Sequence, residues 1–195
     1  YLASRVRRRA AIQPRISDIL YQEHSELLVP LMEFFGIHGR VPDPDEVEQG
    51  EELEKVFGSL RQAFCVVRRA TGREQWDSVK EACKVDLKIY LALEMFGGRA
   101  RFGQLSPALQ KDIRGHFGTY KRACKESDEL LFSVGDAELI DDECEASPIG
   151  KKTPNGLYVH TDYIDRLSPI LRVFEGCARS YYGMVEGSTL VKFNR

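Results

Sequence analysis

The chain has 195 residues, of which 43% are hydrophobic and 30% charged, and its formal net charge is −2. This composition predicts a globular protein with a real hydrophobic core. Five scattered cysteines without a Cys-x-x-Cys pair argue against a disulfide framework or a zinc finger, and no apolar run approaches the roughly 20 residues of a membrane span. We therefore expect a cytoplasmic protein without a membrane segment, and, since the chain begins with Tyr1, a piece of a longer protein.

A basic linker and two helices are predicted first. Residues 1–15 carry five arginines and no acid. Residues 16–36 have helical periodicity, and we expect Pro30 to split or kink that helix. The sequence Asp43-Pro44-Asp45-Glu46 combines a capping aspartate, a proline at the first helical position and an acid three residues after the cap. It predicts the start of a helix that runs to about Phe57.

A third helix is predicted to begin after the capping residue Ser59. An apolar stripe at i, i+3, i+4 and i+7 predicts its buried face, and the helix ends at Thr71-Gly72. A longer helix over about 74–96 follows and ends at Gly97-Gly98. The residues of the predicted stripe are Leu60, Ala63, Phe64 and Val67.

The chain then repeats this order of elements. Gly39-Arg40, which follows the first apolar helix, is echoed by Gly98-Arg99, and Phe57-Gly58-Ser59 is echoed 60 residues later by Phe117-Gly118-Thr119. Recurrence at a fixed period is typical of a repeated supersecondary unit. We therefore predict a duplicated helical module over 16–147, with copies at about 16–73 and 74–135.

Beyond about residue 148 the chain is predicted to change character. Leu157 to His160 predicts a short strand, Ser168-Pro169 starts a helix of about 169–182, and residues 188–194 predict a second strand. Two short strands are marginal in water, so this β-α-β unit at 148–195 is expected to be incomplete and to find partner strands elsewhere. The predicted fold class is mainly α with a small α+β C-terminal part.

Charge is strongly segregated along the chain. Residues 55–125 hold 15 lysines and arginines against six acids, whereas 43–54 and 126–145 hold seven and nine acids and no base. A basic segment favours a polyanionic partner, because its field attracts phosphate. The alternative is that the basic and acidic segments neutralise each other within the molecule. The predicted DNA contacts are the cations of the third helix and its repeat: Arg61, Arg68, Arg69, Lys121, Arg122 and Lys125.

The sequence contains no complete signature of a nucleotide, metal or nucleophile site. Gly98 and Gly103 have P-loop spacing, but Gln104-Leu105 follows instead of a lysine and a hydroxyl residue. The four histidines are too far apart to predict a metal site. The C-terminal unit contains one candidate polar site, formed by His160, Arg172, Glu175 and Arg179. The alternative for the three helix residues is a charge ladder on an exposed face, and the alternative for His160 is a histidine in the core.

Several stretches of the sequence share one resemblance. The most specific are Leu157 to His160 and Leu171 to Arg179, and the others are Tyr1 to Arg5, Phe57 to Leu60, Lys152 to Pro154 and Val185 to Gly187. They resemble the region that follows the methyltransferase domain in bacterial DNA phosphorothioation-associated proteins assigned as methyltransferases. The resemblance runs along essentially the whole chain and implies a bacterial DNA-modification or defence setting, with S-adenosylmethionine as the cofactor of the parent protein.

This chain departs from that family in lacking the glycine-rich loop that binds S-adenosylmethionine. We therefore expect no cofactor and no catalytic residue in these 195 residues. The leading hypothesis is a DNA-engaging accessory domain that positions the catalytic domain, with DNA and other DNA-modification proteins as partners. A protein-interaction scaffold in a modification or restriction complex is the alternative. An enzyme centred on the candidate polar site is a third hypothesis.

Overall fold

The computed structural model describes residues 15–183 and 187–194, so residues 1–14 of the predicted basic linker lie outside the described part. The described residues are mainly α-helical with a small three-stranded sheet near the C-terminus, which confirms the predicted fold class. The chain divides into two compact units, Tyr1–Val79 and Lys80–Arg195. The helices are α1 (Ile16–Glu23), α2 (Ser25–His38), α3 (Gly50–Phe57), α4 (Leu60–Thr71), α5 (Arg73–Leu93), α6 (Pro107–Phe117), α7 (Tyr120–Ser133), α8 (Ala137–Ala146) and α9 (Pro169–Tyr182).

The N-terminal unit is built around an aromatic core. The rings of Phe35 and Phe64 are stacked with centroids 4.0 Å apart, and Trp76 meets both edge-on. The indole N–H of Trp76 donates to the Thr71 hydroxyl at 2.8 Å, which satisfies the polar atom of a buried ring. All four residues of the stripe predicted for α4 are buried in this core, as expected.

The first two predicted helices, over 16–36 and from Asp43 to about Phe57, are each divided into two shorter helices. The helix over 16–36 breaks at His24, and Pro30 lies inside α2. A proline ring crowds the helical turn that precedes it, and the observed break lies on this N-terminal side of Pro30. The capping pair is confirmed, since the Asp43 N–H donates to Glu46 at 2.9 Å, but it caps a short 3-10 helix. The chain turns back there: a Cβ on Gly50 would lie 2.2 Å from the carbonyl oxygen of Pro44.

The C-terminal unit contains the sheet β1 (Lys151–Thr153), β2 (Gly156–His160) and β3 (Leu190–Asn194), in that order and antiparallel throughout. The predicted strands and α9 are confirmed, and β1 is an additional strand that the sequence did not predict. No boundary between compact units falls near residue 148, because Ile140 and Cys144 of α8 share one core with Leu157.

The two predicted copies contain the same junction between helices. In the first copy, α3 ends at Gly58 with φ +83°, and the Ser59 hydroxyl accepts the Gln62 N–H at 3.2 Å. In the second copy, α6 ends at Gly118 with φ +76°, and the Thr119 hydroxyl accepts the N–H of Arg122 at 3.2 Å. Duplication of the whole module stays a prediction. None of the described helices is long and apolar enough to cross a membrane.

Candidate functional site

The arginines of the two Gly-Arg steps form internal ion pairs. Arg40 donates through both terminal nitrogens to Glu46, at 2.7 and 2.8 Å, in a geometry that holds the carboxylate firmly. Arg99 donates to Asp128 at 2.8 Å and to the Leu91 carbonyl at 2.9 Å. Both arginine side chains are largely buried. The repeated Gly-Arg step therefore fixes loops within each unit.

The predicted DNA-contacting arginines of α4 differ in their surroundings. Arg61 and Arg69 are exposed and have no carboxylate partner among the described residues. Arg68 is paired with Asp77 at 2.5 Å and is partly buried. Cys65 is exposed one turn from both Arg61 and Arg69, so these three side chains share the solvent face of α4.

Two of the three predicted DNA-contacting cations on α7 form ion pairs with neighbouring acids. Lys121 is exposed and has no carboxylate partner in the described part of the chain. Arg122 pairs with Glu126 at 2.8 Å, and Lys125 lies 3.7 Å from Glu129. Lys84 of α5 also reaches Glu126, at 3.3 Å. The first acids of segment 126–145 therefore neutralise cations of the basic segment, as the intramolecular alternative predicts.

Glu126 is the electrostatic centre of this cluster. Burial acts to raise the pKa of its carboxyl, but hydrogen bonds and the charges of Arg122 and Lys84 outweigh burial. The net result is a pKa below the ordinary value for glutamate. The ionised form of Glu126 is therefore the one that the folded protein stabilises.

A cleft of about 460 Å³ opens in the C-terminal unit between the 3-10 helix Thr161–Arg166, α9 and β3. Glu175 on its wall is paired with Arg179, and the Glu175 side chain is only 10% exposed, against 46% for that of Arg179. The half-buried Phe174 gives the cleft an apolar side, and its ring centroid lies 6.2 Å from that of the buried Phe193. Asp165, Tyr182 and Leu190 also line the cleft.

The structure divides the predicted polar site. Glu175 and Arg179 are brought together at the cleft, whereas Arg172 pairs with Asp86 of α5 at 2.7 Å. His160 is not among the described residues that line the cleft. Its ring nitrogen accepts the Asp162 N–H at 3.3 Å and caps the following 3-10 helix. The arrangement does not supply the four-residue centre that the enzyme hypothesis requires.

Sequence reasoning missed several lining residues of the cleft. Asp165 lies in a segment without a recognisable motif, and Tyr182 is the last residue of α9. Lys192 contributes to the wall while its ammonium lies 5.5 Å from the centre of the Tyr158 ring. The alternation of side chains along β3 does not single out these residues, because four consecutive residues of the strand line the cleft.

The histidine, cysteine and acidic side chains that the structure describes do not form a metal site. Within 15–183 and 187–194, no group of three histidine, cysteine or acidic side chains is placed to hold a metal ion. None of the five cysteines forms a disulfide bond, and burial raises the pKa of the Cys83 and Cys177 thiols. Comparison of the chain with protein-family models, curated proteins and solved structures found no match.

Proposed function

We propose that this chain is a DNA-engaging accessory domain of a bacterial, phosphorothioation-associated DNA-modification protein, and that it positions a methyltransferase domain on DNA. The observation that carries the proposal is a pair of equivalent cations. Arg61 and Lys121 occupy the same position after the caps Ser59 and Thr119, 60 residues apart. Both are exposed and free of carboxylate partners among the described residues, so both can meet phosphate without breaking an ion pair.

The surroundings of the six predicted contacts rank their contributions. Arg69 joins Arg61 on the solvent face of α4. Arg68, Arg122 and Lys125 already have acidic partners at 2.5, 2.8 and 3.7 Å, and contact with phosphate would compete with these ion pairs. We therefore assign the principal phosphate contacts to Arg61, Arg69 and Lys121. This set supports sequence-independent contact with the DNA backbone, because none of these residues is tied to a base-reading geometry.

Salt dependence of duplex binding tests the proposal. Affinity of the intact chain for duplex DNA should fall steeply with salt, and the double variant Arg61→Ala/Arg69→Ala should flatten the log–log slope by about 0.9 for each lost phosphate contact. Fluorescence anisotropy over a series of salt concentrations gives this slope. Lys55→Ala is the matched control, since it removes an exposed positive charge from α3 of the same unit.

Two results would contradict DNA binding. One is the absence of duplex binding at low salt by a chain that circular dichroism shows to be folded. The other is an equal flattening of the slope by Lys55→Ala, which would show that the overall charge acts, and not these positions.

A protein-interaction scaffold is the second candidate function, and one observation favours it. Tyr181 and Tyr182 at the end of α9 are 80% and 82% exposed, and their rings form an edge-on pair. Exposed tyrosines are enriched at protein interfaces, because they offer a large apolar surface together with a hydroxyl group. Loss of a partner protein on Tyr181→Ser, with duplex binding retained, would favour the scaffold over DNA engagement.

A further inference from the structure

The strand β3 has one unpaired edge within the described sheet. The order of strands is β1-β2-β3, so β2 occupies one edge of β3 and no described strand occupies the other. An exposed strand edge presents a row of N–H and C=O groups that can pair with another extended chain.

The register identifies which backbone groups point outward. The Thr161 N–H donates to the Thr189 carbonyl at 3.0 Å, and the same register continues through Val159 opposite Val191. Hydrogen-bonded and non-hydrogen-bonded pairs alternate along antiparallel strands. The backbone groups of Val191 therefore point toward β2, and those of Leu190 and Lys192 point toward the free edge. The Leu190 carbonyl accepts the Ser188 hydroxyl at 3.1 Å, so the edge offers another strand the N–H groups of Leu190 and Lys192 and the Lys192 carbonyl.

The cleft borders this free edge. Four consecutive residues of β3, from Leu190 to Phe193, line it. Successive side chains of a strand lie on opposite faces, so a surface that touches all four must include the strand's edge as well as one face. Since β2 covers one edge, the cleft lies along the other, with Phe174 and Glu175 of α9 on its far wall.

We propose that this cleft binds an extended peptide of a partner protein, which adds to β3 as a fourth strand. Addition of a strand beside a helix supplies affinity through main-chain hydrogen bonds and specificity through alternate side chains. The half-buried Phe174 ring suits an apolar side chain. Glu175 is neutralised by Arg179, and the Lys192 ammonium lies over the Tyr158 ring, whereas the Asp165 carboxylate is 93% exposed and 4.0 Å from its arginine neighbour, so it suits a basic side chain. The expected ligand therefore alternates apolar and basic residues. The inference deepens the scaffold hypothesis and does not depend on DNA binding.

The test uses the intact chain and a short peptide of alternating valine and lysine as the probe. Lys192→Pro removes an outward N–H and leaves the ladder to β2 unchanged, because an edge position tolerates proline. Lys192→Ala is the matched control, since it removes the same side chain but keeps that N–H. We expect Lys192→Pro to weaken peptide binding about tenfold, because it leaves a carbonyl of the peptide without its donor, and Lys192→Ala to change binding much less.

A second measurement covers the case in which Lys192→Pro disturbs the fold. In the unmodified chain, the peptide should slow amide hydrogen exchange at Leu190 and Lys192. A peptide that is N-methylated on the edge that would pair with β3 should not, because it lacks the N–H donors of that edge. Equal binding of the probe by the proline variant would overturn the proposal. Dimerisation through β3 without peptide binding would also overturn it, because the edge would then belong to a second copy of the chain. Competitive displacement of the peptide by duplex DNA would overturn it too, because the cleft would then bind DNA.

Discussion

At the residue scale, the Glu175–Arg179 pair is asymmetric in its exposure, and this asymmetry decides how each variant behaves. Glu175→Gln leaves Arg179 behind, and solvent reaches the 46%-exposed arginine side chain. We expect a loss of about 1 kcal/mol in the free energy of unfolding, nearer to exposed pairs than to buried ones. Arg179→Met leaves a carboxylate that is 10% exposed without its partner, so it should cost more, about 2 to 3 kcal/mol.

Urea denaturation of the two variants measures this difference. The spacing of Arg172, Glu175 and Arg179 on one helix favours a glutamate held between two arginines, whose loss would be more costly. In the structure Arg172 pairs with Asp86, and Arg179 is the one arginine that pairs with Glu175 among the described residues. A greater loss for Glu175→Gln than for Arg179→Met would show that the order of burial is not the deciding factor.

Glu126 makes the stability of the C-terminal unit depend on pH. Its pKa is lower in the folded protein than the ordinary value of 4.5, so the unfolded chain takes up the proton more readily. The stabilisation is complete above the unfolded pKa and is lost as the pH falls through the folded pKa. Thermal melts between pH 7 and pH 3 should show a smaller acid-induced decrease in Tm for Glu126→Gln than for the parent. Glu138→Gln, on the exposed first turn of α8, should retain the parent's full decrease.

At the scale of elements, the caps of α4 and α7 offer two equivalent tests in one chain. Ser59→Ala and Thr119→Ala each remove the hydroxyl that accepts an N–H of the first turn, and each should cost about 1 kcal/mol. Ser78→Ala is the control, because the Ser78 hydroxyl bonds a carbonyl in mid-helix and alanine favours the helix. Chemical denaturation in which all three variants lose the same stability would contradict a capping role.

The elements that the sequence predicted well are those whose signals are local. The stripe from Leu60 to Val67 spans about two helical turns, and the Ser168-Pro169 start of α9 spans two adjacent residues; both are confirmed. The short strand β1 carries no such signal. Its Lys151–Thr153 backbone pairs with β2, so its conformation is set by a neighbour and not by its own composition.

At the scale of the whole molecule, the candidate cleft could be predicted only in part, because it depends on long-range contacts. Glu175 and Arg179 are one turn apart on α9, and their spacing indicated the pair. Asp86 and Arg172 are 86 residues apart, and only the folded chain brings their side chains together. The charge pattern likewise indicated the basic segments. It did not indicate which lysines and arginines would form ion pairs with acids such as Glu126.

The exposed position of Cys65 on α4 has a practical consequence for the proposed DNA surface. Of the five cysteines, Cys144 is buried and three are partly covered, whereas Cys65 is exposed between Arg61 and Arg69. Thiol reagents should therefore attach there first, since accessibility governs which cysteine reacts. An environment-sensitive fluorophore on Cys65 would report contact at α4 directly, and oxidation during storage would crosslink two chains through the surface that is meant to face phosphate.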